Sequence, residues 1–364
     1  MSTSGQSTVN MSFHATITDH IYRFTELTMP EPDRPLLAIT LGDPSGIGPE
    51  VVARALAEPA AYEMARPVVI GALGPMLRGI KDTGVGLKAR AVNSAEGAGE
   101  DPNVIDVLNV DGFEDVEFPL GELSAVSGKA AHAWIERAVQ LCQDGGADAM
   151  VTAPVNKEAL NLAGSTDMGH QEVFKRMSGS DYVATMLVSG TLRCMHLSTH
   201  RSLKRAAEYA TRENILMATK LTDETFKSWG FENPRIAIAA LNPHGGENGM
   251  IGDEEITDIR PAVEDAQALG INASGPIPAD SVFNQAIDGR WDVVVVLYHD
   301  QGHIPIKVHG FEESVSVNLG IPWIRTSVDH GTAFDIAGKG IAQAVSMREA
   351  IKLATQLATG VRPS

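Results

Sequence analysis

From Leu36 onward, short apolar runs alternate with amphipathic stretches: LLAITL precedes PEVVARALAEP, PVVIGA precedes GPMLRGIKD, and GKAAHAWIERAVQLCQDG leads into ADAMVTAPV. Period-2 or continuous apolar runs separated by segments of helical period predict βαβ units and a largely parallel sheet. VATMLV, RCMHLS, RIAIAAL, DVVVVLY and SVSVNLG read as further strands. The near-continuous apolar character of IAIAAL and VVVVLY predicts strands buried on both faces. A helix over about 341–357 closes the chain, and no internal repeat, heptad or low-complexity run interrupts the alternation.

With 43% hydrophobic content, 364 residues can bury a large core as two domains or one large α/β unit. Cys142 and Cys194 are too few for a disulfide framework and sit in no CxxC motif, which fits a reducing cytoplasm. A net charge of −17 without a basic stripe argues against a nucleic-acid partner. A small anionic substrate stays open, because a few converging cations set the local field. The longest apolar runs fall far short of the roughly 20 residues that span a bilayer. Residues 1–34 lack the basic and apolar regions of a secretory signal and read as a disordered extension or as residues upstream of the true start.

Candidate chemistry collects after the strands. His200 ends CMHLSTH, His244 follows IAIAALNP, and His299 follows DVVVVLY. Ligands gather at the carboxyl ends of strands in α/β sheets, so three such imidazoles could hold a metal with a position left for substrate. Taken singly, each is more often a satisfied polar residue at a strand end than a ligand. The segment TLGDPSGIGPE carries Gly42, Gly46 and Gly48 between a strand and a helix, with Pro49 suited to the first helical turn. Its spacing is neither GxGxxG nor GxxxxGK[ST], which leaves a ligand-approaching loop or an ordinary βα turn. A second glycine-bearing loop, VDHGTAFDIAGKG, brings His330 and Asp335 ahead of the last helix; it reads as a capping turn or as a ribose-binding carboxylate. Lys157, Lys307 and Arg325 each follow an apolar stretch, where a cation can anchor carboxylate or phosphate.

The ordered blocks GDPSGIGPE, TAPVNK, GHQEVF, STH, LNPHGGENG, GPIPADSVF, YHDQG and IRTSVDHGTA resemble the 4-hydroxythreonine-4-phosphate dehydrogenase family of pyridoxal phosphate biosynthesis from about Leu36 to the end. The resemblance implies a two-domain isocitrate/isopropylmalate dehydrogenase-like α/β fold with the active site in the cleft between domains. It divides the chain into a first domain of 35–155 plus 329–364 and a second of 156–328 that carries metal and dimer contacts. It places one divalent cation (Zn, Co, Mg or Mn) on His200, His244 and His299, and substrate on His170, Gln171, Lys307, Ser316 and Arg325. Gln171 stands where the pyridoxal-pathway enzyme has threonine, and Ser316 where it has asparagine. Related branches act on 4-phosphorylated threonate or erythronate, or on cyclohexadiene diol dicarboxylates. The loop His330, Gly331, Thr332, Asp335 and Ile336 resembles the adenosine loop of isopropylmalate dehydrogenases, in which an Asp-Ile pair goes with NAD and Lys-Tyr with NADP.

The implied reaction is metal-assisted, NAD-linked oxidation of a secondary alcohol, followed by decarboxylation. Lys157 and Asp280 are the candidates for proton transfer, although Asp280 also suits a turn after Pro278. A homodimer with shared sites is the expected assembly. His303 and His309 match no expected ligand, so their replacement should be mild. A metal or metabolite binder without turnover is the rival from another class.

Overall fold

The computed structural model describes residues 34–362, and the extension expected over 1–34 falls, apart from Arg34, outside the described residues. The apolar run after Pro35 becomes β1 (Leu36–Thr40), buried at every position. Further strands are β2 (Arg66–Gly71), β3 (Lys88–Val92), β4 (Val104–Asn109), β5 (Ala149–Thr152), β6 (Ala184–Ser189) and β7 (Leu192–His196). They are followed by β8 (Ile236–Ala239), β9 (Ala273–Ile277), β10 (Val293–Val296), β11 (Val315–Leu319) and β12 (Ile324–Val328). All join one sheet in the order β3-β4-β2-β1-β5-β12-β11-β6-β7-β10-β8-β9. The described residues form one compact unit.

The α/β expectation holds, and the sheet is largely parallel. The exceptions are the pairings of β6 with β7, β6 with β11 and β11 with β12, which are antiparallel. β3 is absent from the expected strands: its KARAV sequence is mostly exposed, because an edge strand needs no continuous apolar run. β10 shows the opposite case. Its four valines are fully buried, each contributing about 1.5–3 kcal/mol of burial.

β7, β10 and β8 are parallel neighbours, so their carboxyl ends share one edge. Beneath one face of this trio, Leu192, Cys194, Ala237, Val294 and Val296 pack with Val282, Ala286 and Ile306 from the helices Ala279–Ile287 and His299–His309. Helix starts are fixed locally. Ser124 caps the helix Ala125–Gln143, Asn156 caps Lys157–Leu162, and Pro49 opens Gly48–Leu56. The closing helix runs Val345–Ala358, later than its sequence expectation, because 341–344 still belong to the preceding loop. No described helix is long and apolar enough to cross a membrane.

Candidate active site

His200, His244 and His299 all follow the shared edge of β7, β8 and β10. Buried side chains fasten that edge. Gln301 accepts from Leu297 N (2.7 Å) and donates to Ala240 O (2.7 Å), tying the ends of β10 and β8, while Ser198 donates to Leu297 O (3.0 Å). Glu255 accepts from the amides of Leu241 and Asn242 at 2.8 and 2.7 Å and so holds the loop that presents His244. In that loop His244, Glu247 and Asn248 have positive φ. Sequence reading missed Gln301 and Glu255, because a backbone-holding side chain leaves no spacing signature.

The rings of His200 and His299 approach to 6.1 Å between centroids. Burial, reinforced by Lys157 and His299, lowers the pKa of His200, which favours the neutral imidazole that metals bind. His244 instead faces Asp280, with Nδ1 to Oδ2 at 3.7 Å, both side chains well exposed. Among the described residues, no three His, Cys, Asp or Glu side chains converge so as to hold an ion within one chain. His303 stands directly against one of the expected ligands. Its ring stacks on His299 with centroids 3.5 Å apart, and its Nδ1 donates to His299 O at 3.0 Å. The helix His299–His309 sets the two residues one turn apart, a relation the sequence spacing alone left unused.

The expected anion-binding residues divide between two places. His170 opens the helix His170–Ser178, and its buried Nε2 has no partner among the described residues. Burial, then the positive charges of Arg325 and Lys157, hold His170 well below the ordinary histidine range. Arg325 is 6% exposed, and it donates to Thr152 Oγ1 (2.6 and 3.1 Å) and Asn318 Oδ1 (2.7 Å) while lying over the Phe174 ring. No carboxylate pairs with it among the described residues, and burial lowers its pKa to about 9. Ser316 is opposite Ser327 on β12, so Ser316, Asn318, Arg325 and Ser327 share one face of the sheet. Gln171 spends its amide on Val183 O at 2.6 Å. With His200, Ser198, Arg201 and Arg205 it lines an open cleft of about 770 Å³.

Lys307 lies elsewhere. Its ammonium pairs with Asp329 Oδ2 (2.7 Å) and donates to Ser314 Oγ (2.9 Å) and Asp329 O (3.1 Å). Together with Ile47, Phe311, His330, Gly331, Ala333 and Ile336 it lines a second cleft of about 480 Å³, more apolar in its walls. Thr332 is buried behind this loop, whereas Asp335 is exposed. Such an apolar groove beside a solvent-facing carboxylate fits a nucleoside whose ribose hydroxyls need an acceptor.

The sequence matches the pyridoxal phosphate biosynthetic protein PdxA family over residues 63–354. The chain belongs to that family. It is 44% identical over 326 residues to the D-threonate 4-phosphate dehydrogenase of Cupriavidus necator, covering 89% of this chain and 98% of the relative. A solved 4-hydroxythreonine-4-phosphate dehydrogenase from Burkholderia phymatum is 42% identical with a TM-score of 0.80, covering 89% and 98% of the two chains. A terephthalate 1,2-cis-dihydrodiol dehydrogenase from Burkholderia xenovorans LB400 is 29% identical with a TM-score of 0.63, over 88% and 98%.

Proposed function

We propose that this protein is an NAD-linked, divalent-metal-requiring, decarboxylating dehydrogenase of a 4-phosphorylated four-carbon hydroxy acid, with D-threonate 4-phosphate as the favoured substrate. One observation carries the reading: Arg325 is a buried cation with no acidic partner among the described residues, beside a histidine whose buried Nε2 has no partner. Burying an unpaired charge costs several kcal/mol, so a ligand that supplies the anion explains its retention. Lys157 adds a second cation near His170. A trianionic sugar acid suits this surrounding better than 4-hydroxythreonine 4-phosphate, whose ammonium would face Arg325 and Lys157. The second reading, 4-hydroxythreonine 4-phosphate itself, rests on the likeness to the Burkholderia phymatum enzyme. A cyclohexadiene diol dicarboxylate rests on the more distant diol dehydrogenase.

In this reading Arg325, His170 and Ser316 orient the anionic group, with Gln171 completing one wall. His200, His244 and His299 would hold a divalent cation, which supplies Lewis acidity toward the substrate hydroxyl when bound. His200 and His299 approach within one chain while His244 stands with Asp280, so we place the complete site across a homodimer. The division at 155 and 328 into two domains is part of the same proposal. Lys157 and Asp280 handle protons: one accepts the hydroxyl proton as hydride passes to the nicotinamide, and one returns a proton to carbon after carbon dioxide leaves. Asp335 accepts from the adenosine ribose and repels a 2′-phosphate.

The test is NADH formation at 340 nm by purified protein, with the three substrates compared under added Zn, Co, Mg or Mn and after chelation. Fastest turnover of D-threonate 4-phosphate, lost on chelation and restored by metal, is the expected result. Faster turnover of 4-hydroxythreonine 4-phosphate overturns the substrate choice, and turnover unaffected by chelation overturns the metal reading. Bound ligand without turnover of any member of the panel would leave a binder rather than an enzyme.

A further inference from the structure

The glycine-rich segment 40–50 has no role in the reaction outlined above, yet it makes the contacts that shape the second cleft. Gly42 takes a φ of +68° where a Cβ would meet Pro154 O at 2.3 Å, so the turn depends on glycine there. The turn then runs under the 330–340 loop. Ile47, itself a wall of the cleft, donates its N–H to Thr332 O at 3.0 Å. Gly46 approaches so closely that a Cβ would lie 2.7 Å from the same carbonyl.

Glu50, in the first turn of the helix Gly48–Leu56, is 2% exposed. Its Oε1 accepts the N–H of Gly338 at 2.6 Å, and its Oε2 is buried without a partner among the described residues. One helical turn on, the Arg54 guanidinium donates to Gly340 O. Gly338 and Gly340 both hold positive φ, with a Cβ at Gly340 destined to strike Asp82 O at 2.0 Å. The helix thus grips the loop at both ends of a three-residue span, two residues beyond Ile336. A buried carboxylate with a single acceptor bond is expensive where only packing is required, since an apolar side chain would fill the space without that cost.

We infer that Glu50 is a positioning residue, which fixes residues 331–340 in the conformation that presents Asp335 and Ile336 to the dinucleotide. The inference rests on the cofactor reading above for the ligand, but the grip itself is measurable without any ligand. Hydrogen exchange of the unliganded protein should show faster exchange across 331–340 in Glu50→Ala, with β1 and β5 unchanged, and near-normal exchange in Glu50→Gln, which keeps an acceptor oxygen. NADH titration by fluorescence should weaken roughly 10-fold or more in Glu50→Ala, the loss expected for one charge-assisted hydrogen bond expressed in binding, while KM for the hydroxy acid stays constant. Arg54→Met should repeat the exchange result at the Gly340 end, and serves if Glu50→Ala does not fold. Unchanged exchange at 331–340, or a rise spread evenly over the core strands, overturns the inference. Normal loop exchange effects in a protein that binds no dinucleotide would instead overturn the cofactor reading alone.

Discussion

Arg325 and Lys307 were expected to do the same work, and the structure gives them opposite surroundings. Arg325 is sealed under Phe174 with only neutral acceptors among the described residues, Thr152 and Asn318. Lys307 is neutralised by Asp329 at 2.7 Å and lies beside the loop that carries His330. An unpaired buried cation seeks an anion from outside the chain, whereas a paired one is already satisfied. The unmet electrostatic demand therefore sits at Arg325, while Lys307, already paired, lines the second, more apolar cleft.

The largest effect should follow from removing that demand. Arg325→Lys keeps a charge but loses the planar fork that reaches Thr152 and Asn318 together, and should cost about 2–5 kcal/mol, seen as roughly a 30-fold or greater fall in kcat/KM. Lys307→Met should cost less than about 10-fold in the same measurement, because the pair it breaks already cancels its field. Equal losses at both positions would break the comparison.

A smaller effect sharpens the other side. Asp335→Lys combined with Ile336→Tyr should move the ratio of kcat/KM for NAD over NADP by about 10-fold or more toward NADP, since the exposed carboxylate no longer repels the 2′-phosphate. Use of NADP as readily as NAD by the unaltered protein would remove this loop from cofactor choice.

The last effect concerns stability in the turn beneath that loop. Asp43 is fully buried, accepts from Ser45 N at 2.9 Å with one oxygen, and leaves the other unpartnered among the described residues. Burial raises its pKa from 3.8 to about 6. A raised carboxyl pKa favours the folded state below pH 4 and loses that contribution as pH rises through 6. Asp43→Asn should therefore stabilise the protein by about 1–3 kcal/mol at pH 7.5, with the gain vanishing near pH 4. Thermal unfolding across that range checks it, and a pH-independent difference would contradict the assigned cause.

Much of the fold was legible because periodicity reports burial directly. LLAITL, VVVVLY and the alternation of strand and helix state which backbone segments leave water, and the structure returns β1, β10 and a largely parallel sheet from them. β3 was not legible, since an exposed KARAV strand is held by pairing with β4 rather than by its own side chains. At the site, sequence order put His200, His244 and His299 after apolar runs, and parallel pairing of β7, β10 and β8 puts those run ends on one edge.

What the sequence determined by itself is the class of fold, the candidate residues and the family, because these depend on residue type, period and the order of motifs. Tertiary structure alone decided how those residues stand toward one another. Among the described residues Arg325 lacks an acid and Lys307 has one, His303 stacks on His299 while His244 turns to Asp280, and Glu50 reaches across to Gly338. The physical reason is range: hydrophobic patterning acts through the neighbouring few residues, but desolvation and charge pairing are set by whichever segments the folded chain brings within a few ångströms, here 288 residues apart for Glu50 and Gly338.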